Sequence, residues 1–485
     1  METKKTGKNK NLKKKKKKGA KKLIICAVAL VLVVAILLLA LNFCGKDLSK
    51  IDILRSENFT VSAAMVTYSL YDTYHYYYNY FGAEGLKFAF GIDANVSLSE
   101  QYSDAEKGIT WFDVFKTEAI DGFCNALALC EAAVDAGVEL SDIDKKYIQS
   151  EIDEIETLAT KDGMTLKEYI KKIYGNNVNE DDIRKSLELH RLANKMRYRE
   201  YSIVTATESE IEAVLKEEGN TYLMRDIIYV ELTLANDSAK TEKIKEYAQK
   251  LKSAATEEEF RALAAEFFAS EYCVNKSENK KVNSQTVQNN VSEDEKTELD
   301  SWFFANGTEI GSTYVHEGSA SHVAYMVLSD AAMDETPTRD MYTMVFDPGI
   351  YGTMDECKAE AERVYALWQD GGAGLERFKE LAAEYTTDYV STYLGGYYEN
   401  VKKGDMVDAL DAWLFDEKLE VGASTVIKSD YGYHIMLYSG EGDPAWKAPI
   451  VESIKDDKVT SSVLNYAEVH TITTVNGNMK YVKAK

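Results

Sequence analysis

Proline and cysteine are both scarce in this chain of 485 residues, which holds four prolines and six cysteines. No proline occurs between residues 50 and 220, so no ring removes a backbone donor from a helix in that stretch. The cysteines form no Cys-x-x-Cys pair and no Cys/His spacing typical of a metal site, and we expect free thiols. The sequence also contains no P-loop and no nucleophile elbow. We therefore expect neither a metal nor a cofactor.

The N-terminus carries a basic tail followed by a long apolar run. Residues 1–22 hold twelve lysines and one glutamate, so the tail has a charge of about +11 and the remaining residues about −34. Residues 23–43 are almost entirely apolar, and a helix of this length spans roughly 30 Å, the thickness of a bilayer core. Lysines hold their end of such a helix in the cytoplasm. The sequence therefore predicts a cytoplasmic tail, a transmembrane helix and a single-pass cell-membrane protein whose later domains are extracytoplasmic.

Two other interpretations of the apolar run stay open. A cleaved signal peptide would have a shorter apolar stretch and a small-x-small cleavage site, and no such site is obvious here. A lipoprotein would carry its lipid on Cys44, but the bulky Phe43 stands directly before it. The lysines are better explained as an orientation signal that touches anionic lipid than as a nucleic-acid site, so we expect no nucleic-acid partner.

Residues 50–220 have the apolar periodicity of amphipathic helices joined by short turns. Thr165 with Glu168 and Thr207 with Glu210 fit capping boxes, which mark helix starts. Seven tyrosines crowd residues 68–80. Exposed rings would offer a surface for unfolded chains, whereas core packing is the more common role for any single tyrosine. The pattern predicts an all-α module that resembles the helical part of a chaperone.

An internal duplication follows residue 220. The same short motifs recur in the same order 109 to 118 residues apart. In chain order, the matches are Arg225-Asp226 with Arg339-Asp340, Leu263 to Glu266 with Leu381 to Glu384, Leu299 to Trp302 with Leu410 to Trp413, Gly311 with Gly422, and His322 to Leu328 with Tyr431 to Leu437.

Each copy predicts a small α+β domain of strand, two helices, short helical segments and a final strand. We place the first domain at residues 221–333 and the second at residues 337–440, with a boundary in the polar join around Pro337. Residues 441–485 predict a helix and a short strand that pack back on the helical module. The predicted fold class is thus multidomain α+β, with one transmembrane helix, an all-α module and two tandem α+β domains.

The second copy resembles the parvulin (PpiC, rotamase) family of peptidyl-prolyl isomerases. The resemblance covers about residues 339–438 and is carried by Gly395-Gly396, Gly404-Asp405-Met406, the stretch Leu410 to Phe415, and Tyr431-Gly432-Tyr433-His434-Ile435. It implies catalytic roles for His434, Asp388 and Thr343. It also implies a proline pocket, lined by Met406, Leu410, Phe415, Tyr398 and Tyr431.

Two departures from the parvulin pattern bear on activity. Thr343 takes the place of the histidine that the family usually has in its first strand, and Leu410 takes the place of a phenylalanine. The alignment puts Tyr325 of the first copy where His434 stands in the second. The first copy is therefore expected to be an inactive, degenerate parvulin-like domain.

The order of segments resembles the PrsA/SurA-type extracytoplasmic foldases. That resemblance implies peptidyl-prolyl cis–trans isomerisation and chaperoning of exported proteins, with unfolded or newly exported polypeptides that contain X-Pro bonds as partners. One alternative is a non-catalytic holdase in which both copies are scaffolds, and Thr343 favours it. A surface adhesion or ligand-binding protein is a further alternative, which would not suppress the aggregation of an unfolded client.

Overall fold

The computed structural model describes residues 47–274, 281–289, 297–388 and 391–484. The predicted tail (1–22) and transmembrane helix (23–43) lie outside these residues. No helix in the described part of the chain is both long and apolar enough to cross a bilayer. The described residues form two compact units: the first comprises residues up to Leu140, Asp144–Asn194 and the residues from Tyr466, and the second comprises Ser141–Ile143 and Lys195–Asn465.

The region before residue 220 is mainly helical. Its helices are α1 Ala63–Phe90, α2 Trp111–Asp135, α3 Asp142–Lys161, α4 Leu166–Tyr174, α5 Glu180–Ile203 and α6 Glu208–Glu218. Both predicted capping boxes are present, because the Thr165 and Thr207 hydroxyls accept from the Glu168 and Glu210 backbone N–H groups. Helix α1 bends at Gly82, whose φ of +67° is not helical.

The expectation of an all-α module is wrong in four short segments. These are the strands β1 Asp52–Arg55, β2 Thr60–Ser62, β3 Tyr102–Asp104 and β4 Ile109–Thr110. Strand β1 has four residues, which are too few for an alternating apolar pattern to be recognised in the sequence. Its residues Ile53 and Leu54 are both fully buried. Strand β14 Thr473–Thr474 pairs with β1, so residues near the C-terminus complete this small sheet.

The remaining elements belong to the two α+β domains and the helix after them. The first domain contains β5 Leu223–Thr233, α7 Ser238–Lys252, α8 Glu257–Ala269, β6 Asn283–Gln288, α9 Glu298–Phe303, β7 Thr313–Glu317, β8 Ser321–Val327 and β9 Ala332–Met333. The second contains β10 Arg339–Phe346, α10 Pro348–Tyr351, α11 Met354–Asp370, α12 Leu375–Tyr385, β11 Tyr397–Val401, α13 Asp408–Leu414, β12 Ser424–Ser429 and β13 Gly432–Glu441, followed by α14 Ala448–Val469.

The two domains have the same sheet topology. The strand order is β6-β5-β8-β7 in the first and β11-β10-β13-β12 in the second, with every pair antiparallel. An arginine near the start of the central strand donates hydrogen bonds to two backbone carbonyls in each domain. Arg225 donates to the Phe303 and Thr308 carbonyls, and Arg339 donates to the Leu414 and Asp416 carbonyls. The duplication is therefore present in the fold as well as in the sequence.

The sequence alignment of the two final strands is wrong by two residues. Gly311 donates to the Val327 carbonyl, and Gly422 donates to the Tyr438 carbonyl, so Val327 corresponds to Tyr438. On this register Val323, and not Tyr325, stands at the position of His434. A shift of two residues leaves each side chain on the same face of the strand. The alternating pattern of the sequence therefore could not reveal the error.

In the second domain the two faces of the sheet pack against different partners. Met344, Phe346 and Ile435 join a core with helices α11 and α12. Met341 and Met436, on the other face, join a smaller cluster with Leu410 and Leu414 of α13. The large helices therefore stabilise one face, and the opposite face carries a smaller apolar cluster.

Gly396 is required where the loop before β11 meets β10. It has a φ of +86°, and a Cβ added to it would lie 2.5 Å from the Thr343 backbone oxygen. We expect Gly396→Ala to destabilise this domain by about 2–4 kcal/mol, from left-handed strain plus overpacking. Hydrogen exchange of the amides of β10 would measure the loss.

Gly372→Ala is the matched control for Gly396→Ala. Gly372 has a similar φ of +92°, but no atom lies within 4 Å of the place that an added Cβ would take. Gly372→Ala should therefore lower the stability of the domain only by the cost of left-handed backbone strain, about 1–2 kcal/mol. Equal losses for the two variants would contradict a steric requirement at Gly396.

Candidate active site

The site lies on the face of the β10–β13 pair that the large helices do not cover. In this register Val345 is opposite His434 and Thr343 is opposite Met436. Side chains of residues directly opposite one another in a ladder point to the same face. Thr343, His434 and Met436 are therefore neighbours on the side of the small apolar cluster.

His434 is a buried, neutral imidazole. Only 6% of the residue is exposed, and its Nε2 lies 2.7 Å from the Ser429 Oγ. Burial lowers the pKa of His434 to about 4, although the negative charge of Asp388 acts in the opposite direction. Nδ1 has no hydrogen-bond partner among the described residues. Ser429 therefore orients the ring through Nε2, and Nδ1 lies in a desolvated environment without a hydrogen bond to the described residues.

Asp388 is fixed in the loop that follows α12. Its carboxylate accepts a 2.6 Å hydrogen bond from the Tyr398 hydroxyl and a 3.3 Å bond from the Ser391 N–H. Thr386 and Thr387 anchor the loop to β10 through Val345. Burial, and then the charge of Asp388, raises the pKa of Tyr398, so this phenol keeps its proton and donates a hydrogen bond to the carboxylate.

Thr343 contributes an unpaired hydroxyl to the same region. The residue is 3% exposed, and its backbone N–H donates to the Gly396 carbonyl at 2.7 Å. Its Oγ1 has no partner among the described residues, and neither does the Oγ of the buried Ser391. Together with His434 Nδ1, these are three buried polar atoms without a protein partner around one site, which is unusual in a folded interior.

The apolar part of the site is the cluster beneath α13. Leu410 is 4% exposed and packs with Met341 and Met436. Three further residues with predicted pocket roles pack against this cluster and are half-buried: Tyr398, Met406 and Phe415. Arg339 fixes the end of α13 through two backbone carbonyls, and its guanidinium lies 5.5 Å from the Phe415 ring centre.

Among the predicted pocket residues, Tyr431 is the one that does not pack against this cluster. It lies in the turn between β12 and β13 and is 67% exposed. Its backbone N–H donates to the Ser429 Oγ, so its contribution to the site in this structure is through the main chain. The strand begins only at Gly432, whose φ of +134° ends the turn.

Sequence reasoning missed three residues of the site. Ser429 positions the His434 ring, Ser391 binds Asp388, and Arg339 anchors α13. The recurrence of Arg225 and Arg339 before the two central strands was a signal for the last of these. Serine is too common in turns and loops for Ser429 or Ser391 to be recognised without coordinates.

Residues 351–439 match the family model of the PPIC-type PPIASE domain. This match confirms the resemblance to parvulins over those residues, and with it the prediction of a parvulin-type peptidyl-prolyl isomerase domain. The matched range contains His434, Asp388 and all five predicted pocket residues, whereas Thr343 lies before its start. No curated protein matches the chain.

Two solved structures are similar to parts of the chain. The peptidylprolyl isomerase PrsA from Bacillus anthracis is 19% identical, and the alignment covers 31% of this chain and 58% of that one, with a TM-score of 0.18. PrsA from Bacillus subtilis is 14% identical over 74% of this chain and 88% of that one, with a TM-score of 0.21.

Proposed function

We propose that the second α+β domain catalyses rotation about X-Pro bonds of polypeptides. One observation carries the proposal. His434, Asp388 and Thr343 lie around the same sheet face as the apolar cluster of Leu410 and Met436. An apolar surface with a few fixed polar groups at its edge is what a proline ring and its amide require.

The chemistry needs no nucleophile. Amide resonance sets a barrier of about 18–20 kcal/mol, and catalysis must favour the twisted amide over both planar forms. Twisting returns electron density to the proline nitrogen and reduces the charge on the carbonyl oxygen. In our proposal Leu410, Met406 and Phe415 hold the ring. Buried polar atoms of His434 and Thr343 contact the amide away from water, where their effect is greatest.

The pocket predicts a defined loss for Leu410→Ala. Removing most of this buried side chain takes contact from the proline ring, and kcat/KM for a short X-Pro peptide should fall about tenfold. A protease-coupled isomerisation assay on the full chain measures it.

Leu299→Ala in the first domain is the matched control, because Leu299 lies in α9 at the position that corresponds to Leu410 and packs against the small apolar cluster of that domain. It should leave kcat/KM unchanged. An equal loss from both variants, or isomerisation no faster than the uncatalysed rate by the unaltered chain, contradicts the proposed active site.

We propose further that residues 221–333 are a degenerate parvulin-like copy. Tyr229 occupies the place of Thr343, and Tyr325 occupies the place of Met436. Their ring centres are 5.9 Å apart, and Phe303 meets Tyr325 edge-on at 5.6 Å. These rings fill the space in which a proline would bind, and Val323 replaces the histidine. The copy then serves as binding surface or spacer.

We propose that the whole chain is a membrane-anchored extracytoplasmic foldase for exported proteins. The basic tail and the apolar run 23–43 support the anchor and its orientation, as argued from the sequence. Alkaline extraction of membranes should leave the chain in the pellet, and protease added outside intact cells should digest the domains after residue 47. Resistance of those domains to external protease would overturn the orientation.

A non-catalytic holdase is the second candidate, and one observation favours it. The far half of α1 exposes several aromatic rings, with Phe88 95% exposed, Tyr80 74% and Tyr76 67%. Exposed apolar surface of this kind often marks a binding site for other chains. Suppression of aggregation of an unfolded client that contains no proline would support this activity, separately from isomerisation.

A further inference from the structure

The first unit contains an open groove between helices α1, α3 and α4. Its volume is about 1010 Å³, and the loop around Val96 and Leu98 forms part of one wall. This volume is at the upper end of the usual range for ligand pockets, about 300–1,000 Å³. The groove lies within one unit and is far in sequence from the parvulin site.

Aromatic and aliphatic side chains form most of the groove surface. Helix α1 contributes Tyr74, Tyr76 and Tyr78, and α3 contributes Ile155 and Leu158. These side chains remain accessible in the groove, since Tyr76 is 67% exposed, Leu158 42% and Tyr78 38%. Such a surface is suited to apolar side chains of an extended polypeptide.

Three carboxylates are set into this aromatic surface. Asp72 accepts a 3.2 Å hydrogen bond from the Tyr174 hydroxyl, and Glu151 and Glu154 lie on the neighbouring α3. Partial desolvation raises the pKa of Asp72. At Glu151, partial desolvation followed by repulsion from Glu154 and Asp72 raises the pKa, and the positive charge of Arg191 acts in the opposite direction. Glu151 is therefore close enough to the other two carboxylates to be repelled by them.

Described cations near the groove form their ion pairs with carboxylates outside it. Lys172 lines the groove and pairs with Asp162 at 2.7 Å, and Arg191 pairs with Asp144 at 2.8 Å. No lysine or arginine in the described residues forms an ion pair with Asp72, Glu151 or Glu154. The groove thus presents negative charge between aromatic faces, and a cation supplied by a ligand would complement both.

We propose that the groove binds an extended polypeptide segment in which a lysine or arginine is flanked by apolar residues. This inference rests on the proposed foldase function and names the class of client segment that the helical module selects. The basic head contacts Glu151 and Glu154, its stem and neighbours contact the tyrosines, and acidic segments are repelled. Charge complementarity commits the groove to this occupant, because an uncharged apolar segment would leave the carboxylates unpaired.

Fluorescence anisotropy with the full chain in detergent tests the proposal. The probes are two dye-labelled, proline-free peptides of equal length with alternating leucine and phenylalanine, one carrying lysines and the other glutamates. We expect the lysine peptide to bind at least tenfold more tightly, and its affinity to fall as salt rises. The double variant Glu151→Gln/Glu154→Gln should lose about tenfold, whereas Glu156→Gln, on a different face of α3, should not.

Two substitutions of aromatic residues test the contribution of the aromatic side chains of the groove. Tyr76→Ala should weaken binding of the lysine peptide, and Tyr102→Ala, exposed in strand β3 of the same unit but outside the groove, should not. Circular dichroism of each variant checks that the helices remain folded. Equal binding of the two peptides, or equal effects of the groove and control variants, overturns the proposal.

The same experiment tests two other possible occupants of the groove, the basic tail and a second copy of the chain. If removal of residues 1–22 raises the affinity for the lysine peptide, the basic tail occupies the groove and the proposal fails. If Tyr76→Ala shifts the sedimentation coefficient while no peptide binds, a second copy covers the groove and the proposal again fails.

Isomerisation of a short X-Pro peptide, measured with the same proteins, should be unchanged by Glu151→Gln/Glu154→Gln. A chain that isomerises but does not select basic segments keeps the proposed activity and loses only this inference.

Discussion

Replacing His434 by alanine should lower kcat/KM for isomerisation of a short X-Pro peptide by about ten- to a hundredfold. The ring lies in a buried place, with Ser429 on one nitrogen and the other nitrogen unpaired among the described residues. Loss of one polar contact in a desolvated site corresponds to about 1–3 kcal/mol, which gives this range. A protease-coupled assay on the full chain, with peptide well below saturation, measures the change.

Two further variants separate catalysis from stability in the His434 experiment. Val323→Ala alters the corresponding position of the first domain and should leave kcat/KM unchanged. Ser429→Ala removes the hydrogen bond that orients the ring but leaves the imidazole, so it should cause a smaller loss than His434→Ala. If His434→Ala retains full activity while its fold is intact, the histidine has no part in the reaction.

Acidification should destabilise the second α+β domain over the window between about pH 6.5 and pH 4. An unfolded histidine has a pKa of about 6.5, whereas burial lowers the pKa of His434 to about 4. In this window the unfolded state binds more protons than the folded state, so stability falls as the pH falls. The contribution is complete above about pH 6.5, and its full loss by pH 4 amounts to roughly 3 kcal/mol.

The variant His434→Gln isolates this contribution from the carboxylates that titrate nearby. Hydrogen exchange of the amides of β13, followed from pH 7 to pH 4, reports on this domain and not on His190, which lies in the first unit. The unaltered chain should lose more protection than the variant by the amount given above. Identical pH profiles would contradict a neutral, buried His434.

The sequence predicted the elements of the site better than their exact register. Capping boxes at Thr165 and Thr207 mark helix starts because the hydroxyl and carboxylate satisfy backbone donors locally. Strand alternation placed His434 and Met436 on one face for a similarly local reason. The two-residue slip that aligned Tyr325 with His434 came from the first copy, because the histidine of its strand β8, His322, does not stand at the position of His434.

Features that depend on contacts distant in sequence were harder to predict. Strand β14 completes a sheet with β1, although more than four hundred residues separate them. Asp388 acquires its place from Tyr398 and Ser391, and three threonine hydroxyls fix the loop around it. Single polar residues in loops carry no periodic signal, so only the fold reveals which of them meet.

Exchange NMR of an X-Pro peptide, with the full chain at a small fraction of the peptide concentration, tests the central claim most directly. It follows cis–trans interconversion on the peptide itself and needs no coupled protease. We predict exchange cross-peaks between the cis and trans proline signals, which are absent without the chain because the uncatalysed reaction takes tens to hundreds of seconds. Cross-peaks that are absent with the folded chain, or that persist unchanged in the Leu410→Ala/His434→Ala double variant, would contradict isomerisation at this site.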